Sequence, residues 1–368
     1  MSFKNLRYIL KNSMGITTCI WYKNGLYLSM LDGSKWGPPF LISDSAVEDF
    51  SALIDPDDNI SACFVDYTDR LIYMPVGEEK KEPVVLLESR ICGSSPYSVN
   101  MVEAEGKIHV FYIVNHNRRQ LLTYQRMEGT AYTMPEVLGV IVRDAKNYAV
   151  CSDGYTIHIF FVTNVQNVNL LVHRKISGGK LSKPVTAPFP YNASHKLQAV
   201  ACRNGPAYVL ASLEESDGKS VIFKFDTILN KFSKGLEVFG ISPGPGSDSL
   251  ITVRNMPFVI RTLKNAFVVA AVNSDCSRIE DESKIDLTGR DIPLECKFQS
   301  TSTEDAYFRS DIIPMLFGNG LSFPFDIKKL TARKKDTPES DDLLYVRIRE
   351  LESRIEFLEN TIREMLKP

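Results

Sequence analysis

One strand pattern returns along most of this 368-residue chain and constrains its fold more than any other feature. The segments Ile16-Thr17-Thr18-Cys19, Ile60-Ser61-Ala62-Cys63, Ile108-His109-Val110-Phe111, Ile157-His158-Ile159-Phe160 and Ala207-Tyr208-Val209-Leu210 align, with starts 44 to 50 residues apart. Each sits in a unit that reads as four antiparallel strands. The first strand is moderately apolar, as in Phe50 to Ile54, Tyr97 to Met101, Tyr148 to Cys151 and Leu197 to Ala201. A polar turn follows: Asp55-Pro56-Asp57-Asp58-Asn59, Glu105-Gly106, Asp153-Gly154 and Asn204-Gly205. These residue types accept positive φ. The second strand is the most apolar, and the third alternates with period two, so that one face is packed and the other is wetter.

A second turn has its own signature. Asp32-Gly33-Ser34-Lys35-Trp36-Gly37-Pro38, Glu128-Gly129-Thr130-Ala131-Tyr132-Thr133-Met134-Pro135 and Gly178-Gly179-Lys180-Leu181-Ser182-Lys183-Pro184 share a tight turn, a large residue and then a proline. The large residue, Trp36 in the first copy, is expected at least half buried against its own blade. The proline suits an outer edge strand, where no ladder donor is needed. Short strands repeating at 40 to 50 residues are the signature of β-propeller blades. Five blades are clear, and a sixth begins near Leu250, where Phe258-Val259-Ile260 keeps the register. From Asn273 to Tyr307 the pattern gives way to a polar stretch rich in acids. Leu321 to Ile327 reads as a strand that completes the ring. Six blades are expected, with seven the alternative.

The second-turn hairpins resemble the Asp-box hairpin of sialidase-like propellers and the blades of fucose-binding propeller lectins, over roughly residues 5 to 260. Only the copy from Ser29 to Trp36 has Asp, Gly and Trp together, and its spacing departs from the Asp-box. The resemblance implies a propeller and a carbohydrate ligand.

The period changes near the C-terminus. The expected division is a propeller over 1–330, a polar linker over 331–340 and a helix over 341–368. In the last segment Leu344, Ile348, Leu351, Ile355, Leu358, Ile362 and Met365 recur alternately four and three apart. That is a heptad seam with Ile at a and mostly Leu at d. Arg347 and Arg354 fall at g, and Glu352 and Glu359 at e. A parallel coiled coil is expected to join copies of the chain, with a homotrimer ahead of a homodimer. The competing reading is an amphipathic helix docked on its own propeller.

Composition narrows the function classes. A net charge of -2 gives no broad pull toward nucleic acid. No apolar run approaches the length that spans a bilayer. The first residues lack the continuous apolar stretch of a secretory signal, so a cytoplasmic protein is the default expectation, with non-classical export the alternative. None of the seven cysteines forms a C-x-x-C pair, and Cys19 with Cys63 and Cys151 with Cys202 occupy equivalent repeat positions. They read as small apolar fillers of strands rather than metal ligands or a disulfide framework.

Chemistry-bearing motifs are sparse. His109 and His158 are repeat-equivalent and read as structural. No metal spacing, phosphate loop or nucleophile elbow occurs, and no cofactor or metal is expected. The acids Asp275, Glu280, Asp281, Glu282 and Asp286 lack the ordered spacing of a calcium loop. The polar set that stands out lies between second and third strands: Asn115, Asn117, Arg118 and Arg119 in one repeat, Asn164 and Asn167 in the next. Amide and guanidinium groups suit a hydroxyl-rich ligand, with Tyr112 or Trp21 as an aromatic face. Ordinary exposed turns also collect Asn and Arg. The expectation is a non-enzymatic, multivalent, lectin-like protein displaying propeller faces, with a glycan as the preferred partner. The alternatives are a scaffold that binds proteins and a glycosidase or lyase of sialidase-like fold.

Overall fold

The structure is a computed structural model. It describes residues 6–77, 82–88, 95–128, 131–142, 148–189, 195–203, 205–213, 220–239, 247–287, 293–318 and 320–323. All of them belong to one compact unit, Met1–Phe325.

The described residues form six antiparallel blades, each from one continuous stretch of chain. From the axis outward, blade 1 has Arg7–Lys11, Thr17–Tyr22, Leu26–Asp32 and Phe40–Ser43. Blade 2 has Ala46–Ile54, Ile60–Asp66, Arg70–Val76 and Val84–Glu88. Blade 3 has Tyr97–Ala104, Lys107–His116, Arg119–Glu128 and Glu136–Ile141. Blade 4 has Tyr148–Ser152, Ile157–Val165, Val168–Ser177 and Val185–Pro188. Blade 5 has His195–Ala201, Ala207–Leu213, Ser220–Asp226 and Leu236–Val238, and blade 6 has Ser247–Val253, Met256–Thr262, Ala266–Val272 and Ile279–Asp286.

The second strands are the most apolar because each is covered on both faces by neighbouring blades. Val110, Phe111, Tyr112 and Ile113 are all fully buried. Separate apolar clusters fill the spaces between successive blades, such as Tyr8, Leu10, Ile20, Phe50 and Phe64 between blades 1 and 2. Polar side chains tie neighbouring inner strands together. Tyr8 Oη donates to the Phe50 carbonyl at 3.2 Å. Ser51 Oγ accepts from the Met101 amide at 3.0 Å, and Gln198 Oε1 from the Leu250 amide at 3.1 Å.

The ring is closed by a segment that sequence periodicity does not resolve. The acid-rich stretch holds the outer strand of blade 6, Ile279–Asp286, and then a strand on the axis, Leu294–Ser300. This axial strand pairs parallel with Arg7–Lys11 of blade 1. After a 3-10 turn at Thr303–Asp305, Phe308–Ser310 pairs antiparallel with the inner strand of blade 6. The two strands form a clasp between the first and last blades, stiffened by Phe298, Phe308 and Phe323, whose ring centroids lie 5.4–5.9 Å apart. The ring-completing strand expected at Leu321 to Ile327 is thus replaced by the clasp. Of that range, only Leu321 and Ser322 lie in a described strand, Gly320–Ser322, which pairs with Ile313–Gly318. Trp36 is half-buried as expected and pairs with Leu31 of its own blade, and its ring also stacks on Phe317 of the C-terminal segment, 5.9 Å between centroids.

The fold class is corrected at the C-terminal end. No α-helix occurs among the described residues, so the chain is all-β there and the helical coiled coil is not supported. Residues 341–368, with the seam Leu344, Ile348, Leu351, Ile355, Leu358, Ile362 and Met365, lie outside the described residues. No helix among the described residues is long and apolar enough to cross a membrane.

Candidate functional site

The six inner strands run in one direction around an axis, so their starts frame one mouth and their ends frame another. The clasp lies inside the ring and divides the space. On the side of the strand starts is a cavity of about 140 Å3, bordered by Arg7, Tyr8, Trp21, Glu48, Asp49, Tyr148 and Lys196. On the side of the strand ends is a cavity of about 740 Å3. Lys297, Asn100 and Asp311 border both and form the partition. Lys297 Nζ lies 3.4 Å from Asp311 Oδ1 and donates to Asn100 Oδ1 at 2.9 Å. Burial works against the Lys297 charge, but Asp311 and Tyr8 together outweigh it and hold the ammonium above its ordinary range.

The wide cavity is built from strand ends and the first turn of each repeat. Glu103 and Ser152 end inner strands, while Glu105, Asp153, Tyr155 and Arg203 come from the turns that follow. The clasp contributes Gln299, Thr301, Asp305 and Arg309. The turn backbones engage most of these acids. Glu103 accepts from the Gly106 amide at 2.7 Å, and Asp153 from the Tyr155 and Thr156 amides at 2.8 and 2.7 Å. Asp305 pairs with Lys11 at 2.9 Å. Burial pushes the Glu103 carboxyl above the usual carboxylate range. Tyr155 stands at the mouth, 58% exposed. The site therefore combines an exposed aromatic face, carboxylate acceptors and guanidinium donors in one concavity.

The residues singled out in the sequence lie elsewhere. Asn115, Asn117, Arg118 and Arg119 form the exposed tip of blade 3, and Asn164 and Asn167 that of blade 4. Asn117 and Arg118 have φ of 48° and 63°, Gln166 and Asn167 of 51° and 65°. These are two-residue hairpin turns of the primed type, which select Asn at positive φ. Several of their polar groups are engaged locally. Asn164 Nδ2 donates to Asn169 Oδ1 at 2.7 Å, and Asn115 Oδ1 accepts from Tyr97 Oη at 3.4 Å. None of the six borders either axial cavity. Tyr112, expected as an aromatic face, is fully buried and donates to Gln125 Oε1 at 2.7 Å, so no ligand meets it. Trp21 borders the narrow cavity. The wide cavity was hidden because its members read as turn residues. The signal was present in the recurrence of acidic or turn-forming groups at the end of every first strand.

His109 and His158 are structural, as their repeat equivalence suggests. His109 Nδ1 lies 3.0 Å from Tyr124 Oη, and His158 Nδ1 lies 3.0 Å from His173 Nε2. Cys19, Cys63, Cys151, Cys202, Cys276 and Cys296 are buried free thiols. No cluster of metal-ligating side chains occurs among the described residues.

Fold and site define a six-bladed propeller with an axial, polar concavity. No family model matches the chain, and no curated protein matches it either. Among solved structures it is similar in fold to hydrazine synthase of Kuenenia stuttgartiensis, at 10% identity and TM-score 0.53, covering 88% of this chain and 96% of that one. It is also similar to a mutant of the Aleuria aurantia lectin in complex with α-methyl-L-fucoside, at 10% identity and TM-score 0.50, covering 77% and 94%. A hydrazine synthase and a lectin sharing this architecture locate function in the site rather than the fold.

Proposed function

We propose that the protein is a saccharide-binding propeller that takes its ligand in the wide axial cavity. The observation that carries this reading is the pairing of exposed Tyr155 with the carboxylates of Glu103 and Asp153 in one concavity of about 740 Å3. A sugar ring offers a C–H face that stacks on an aromatic ring, and hydroxyls that donate to carboxylates. The Aleuria lectin holds a fucoside on the same architecture, which is consistent with this class of ligand. The test is a glycan array probed with the whole chain and with Tyr155→Ala. Binding that weakens in Tyr155→Ala, with the thermal midpoint unchanged, supports the cavity. Binding that survives it but is lost when Asn117, Arg118 and Asn167 become Gly moves the ligand to the blade tips. No binding to any glycan overturns the reading.

A second reading, catalysis on the bound saccharide, is favoured by Glu103, because burial pushes its carboxyl above the usual carboxylate range, the direction a general acid needs. Incubating the protein with the glycans it binds and looking for shortened or unsaturated products by chromatography decides between the two.

A further inference from the structure

The wide cavity is polarised. Its acids come from blades 3 and 4, where Glu103, Glu105 and Asp153 accept from turn amides. Its arginines come from blade 5, next to blade 4, and from the clasp. Arg203 follows the inner strand of blade 5, and Arg309 sits in the clasp opposite Thr252 of blade 6. The remaining charges are already matched: Lys297 with Asp311, and Asp305 with Lys11. Among the described residues neither Arg203 nor Arg309 has a carboxylate partner. A guanidinium in a concavity without a counter-charge is a standing site for an anionic group. Its planar fork fits a carboxylate in two parallel hydrogen bonds. The acids of blades 3 and 4 have spare lone pairs and suit hydroxyl donors, not a second anion.

We infer that the ligand of the wide cavity is an acidic saccharide, a uronate-bearing glycan whose carboxylate lies on Arg309 and Arg203 while its hydroxyls face Glu103 and Asp153. This rests on the saccharide reading of the same cavity and goes further by fixing the charge and orientation of the sugar. A charge-assisted contact made to the carboxylate alone favours the acid over its neutral counterpart by about tenfold or more, and the preference shrinks as salt screens it.

The experiment is calorimetric titration of the whole chain with a uronate oligosaccharide and with the same oligosaccharide after reduction of its carboxyl groups. The wild-type chain is expected to bind the acid at least about tenfold more tightly at low salt. Arg309→Gln and Arg203→Gln are expected to bring the two affinities together by weakening the acid far more than the neutral sugar. Arg203 is exposed, so its variant keeps the test valid should Arg309→Gln lower the thermal midpoint. Equal wild-type affinity for the two sugars overturns the acidic-ligand inference and leaves saccharide binding standing. A preference unchanged in both variants also overturns it. Binding of neither sugar, nor of any glycan on the array, removes both readings.

Discussion

Lys297 and Asp311 meet at the axis, 3.4 Å apart, with side chains only 15% and 10% exposed. Asp311 also accepts from the Ala199 amide at 3.2 Å, so one carboxylate anchors the clasp to blade 5. Breaking a buried pair strands the surviving charge. Lys297→Met is expected to cost about 3–5 kcal/mol. The double variant Lys297→Met/Asp311→Leu is expected to recover much of that loss. Chemical denaturation of the three chains checks this, and a single variant as stable as wild type would sink it.

The buried imidazoles predict acid sensitivity. Burial pushes His158 down to about 4 and His173 to about 2, and His173 packs against Phe225 with ring centroids 3.6 Å apart. The folded state holds both rings neutral, whereas the unfolded chain takes up protons below about pH 6.5. Stability therefore falls as pH drops from about 6.5 toward 4 and below, and on their account is flat above 7. The slope approaches about 1.4 kcal/mol per pH unit for each ring. His173→Gln keeps a partner for His158 and should flatten the dependence. Thermal midpoints between pH 7.5 and 5 that track each other in both chains would contradict this.

Gly139 shows how tightly the blades stack. It lies in the outer strand of blade 3, and an added Cβ would meet the Phe161 ring of blade 4 at 2.7 Å. Gly139→Val is expected to destabilise the protein by about 1–3 kcal/mol through overpacking. The further substitution Phe161→Leu should relieve part of that cost. A denaturation midpoint unchanged in the single variant would refute the close approach.

Trp36 and Phe317 tie blade 1 to the C-terminal segment, and the Arg7 guanidinium lies 4.7 Å over the Phe317 ring. Alanine at either aromatic position should destabilise the fold. The double variant should lose less than the sum, by about 0.5–1.5 kcal/mol, because the pair interacts. Additive losses would show that the stacking contributes nothing of its own.

The blades were legible because each is a local object. The apolar run Ile108 to Val114 reports burial by near neighbours and marks the second strand of blade 3. The alternation in Leu121 to Arg126 places the third strand, but not a wetter face, since Thr123 and Gln125 are buried like Leu122 and Tyr124. The clasp was not legible. Leu294–Ser300 pairs antiparallel with Ile313–Gly318 only over Leu294 to Cys296, and its long pairing, parallel over Cys296 to Ser300, is with Arg7–Lys11 at the other end of the chain. Its polar residues, Lys297 and Gln299, face the axial cavities, so no apolar period marks it. The axial cavity was obscured for a related reason. Asp153 and Glu105 look like turn residues because they are turn residues, and only ring closure gathers them around one axis.

The clasp also sets an order of events. Blades 1 to 5 are local enough to form as the chain leaves the ribosome, but the inner edge of blade 1 stays unpaired until Leu294–Ser300 has been made. For most of synthesis, then, the nascent chain carries an open strand edge able to pair with another chain. A chain stopped short of Phe308 would keep the inner edge of blade 6 open as well. Translation of the clasp is thus the step that covers the inner edges of blades 1 and 6.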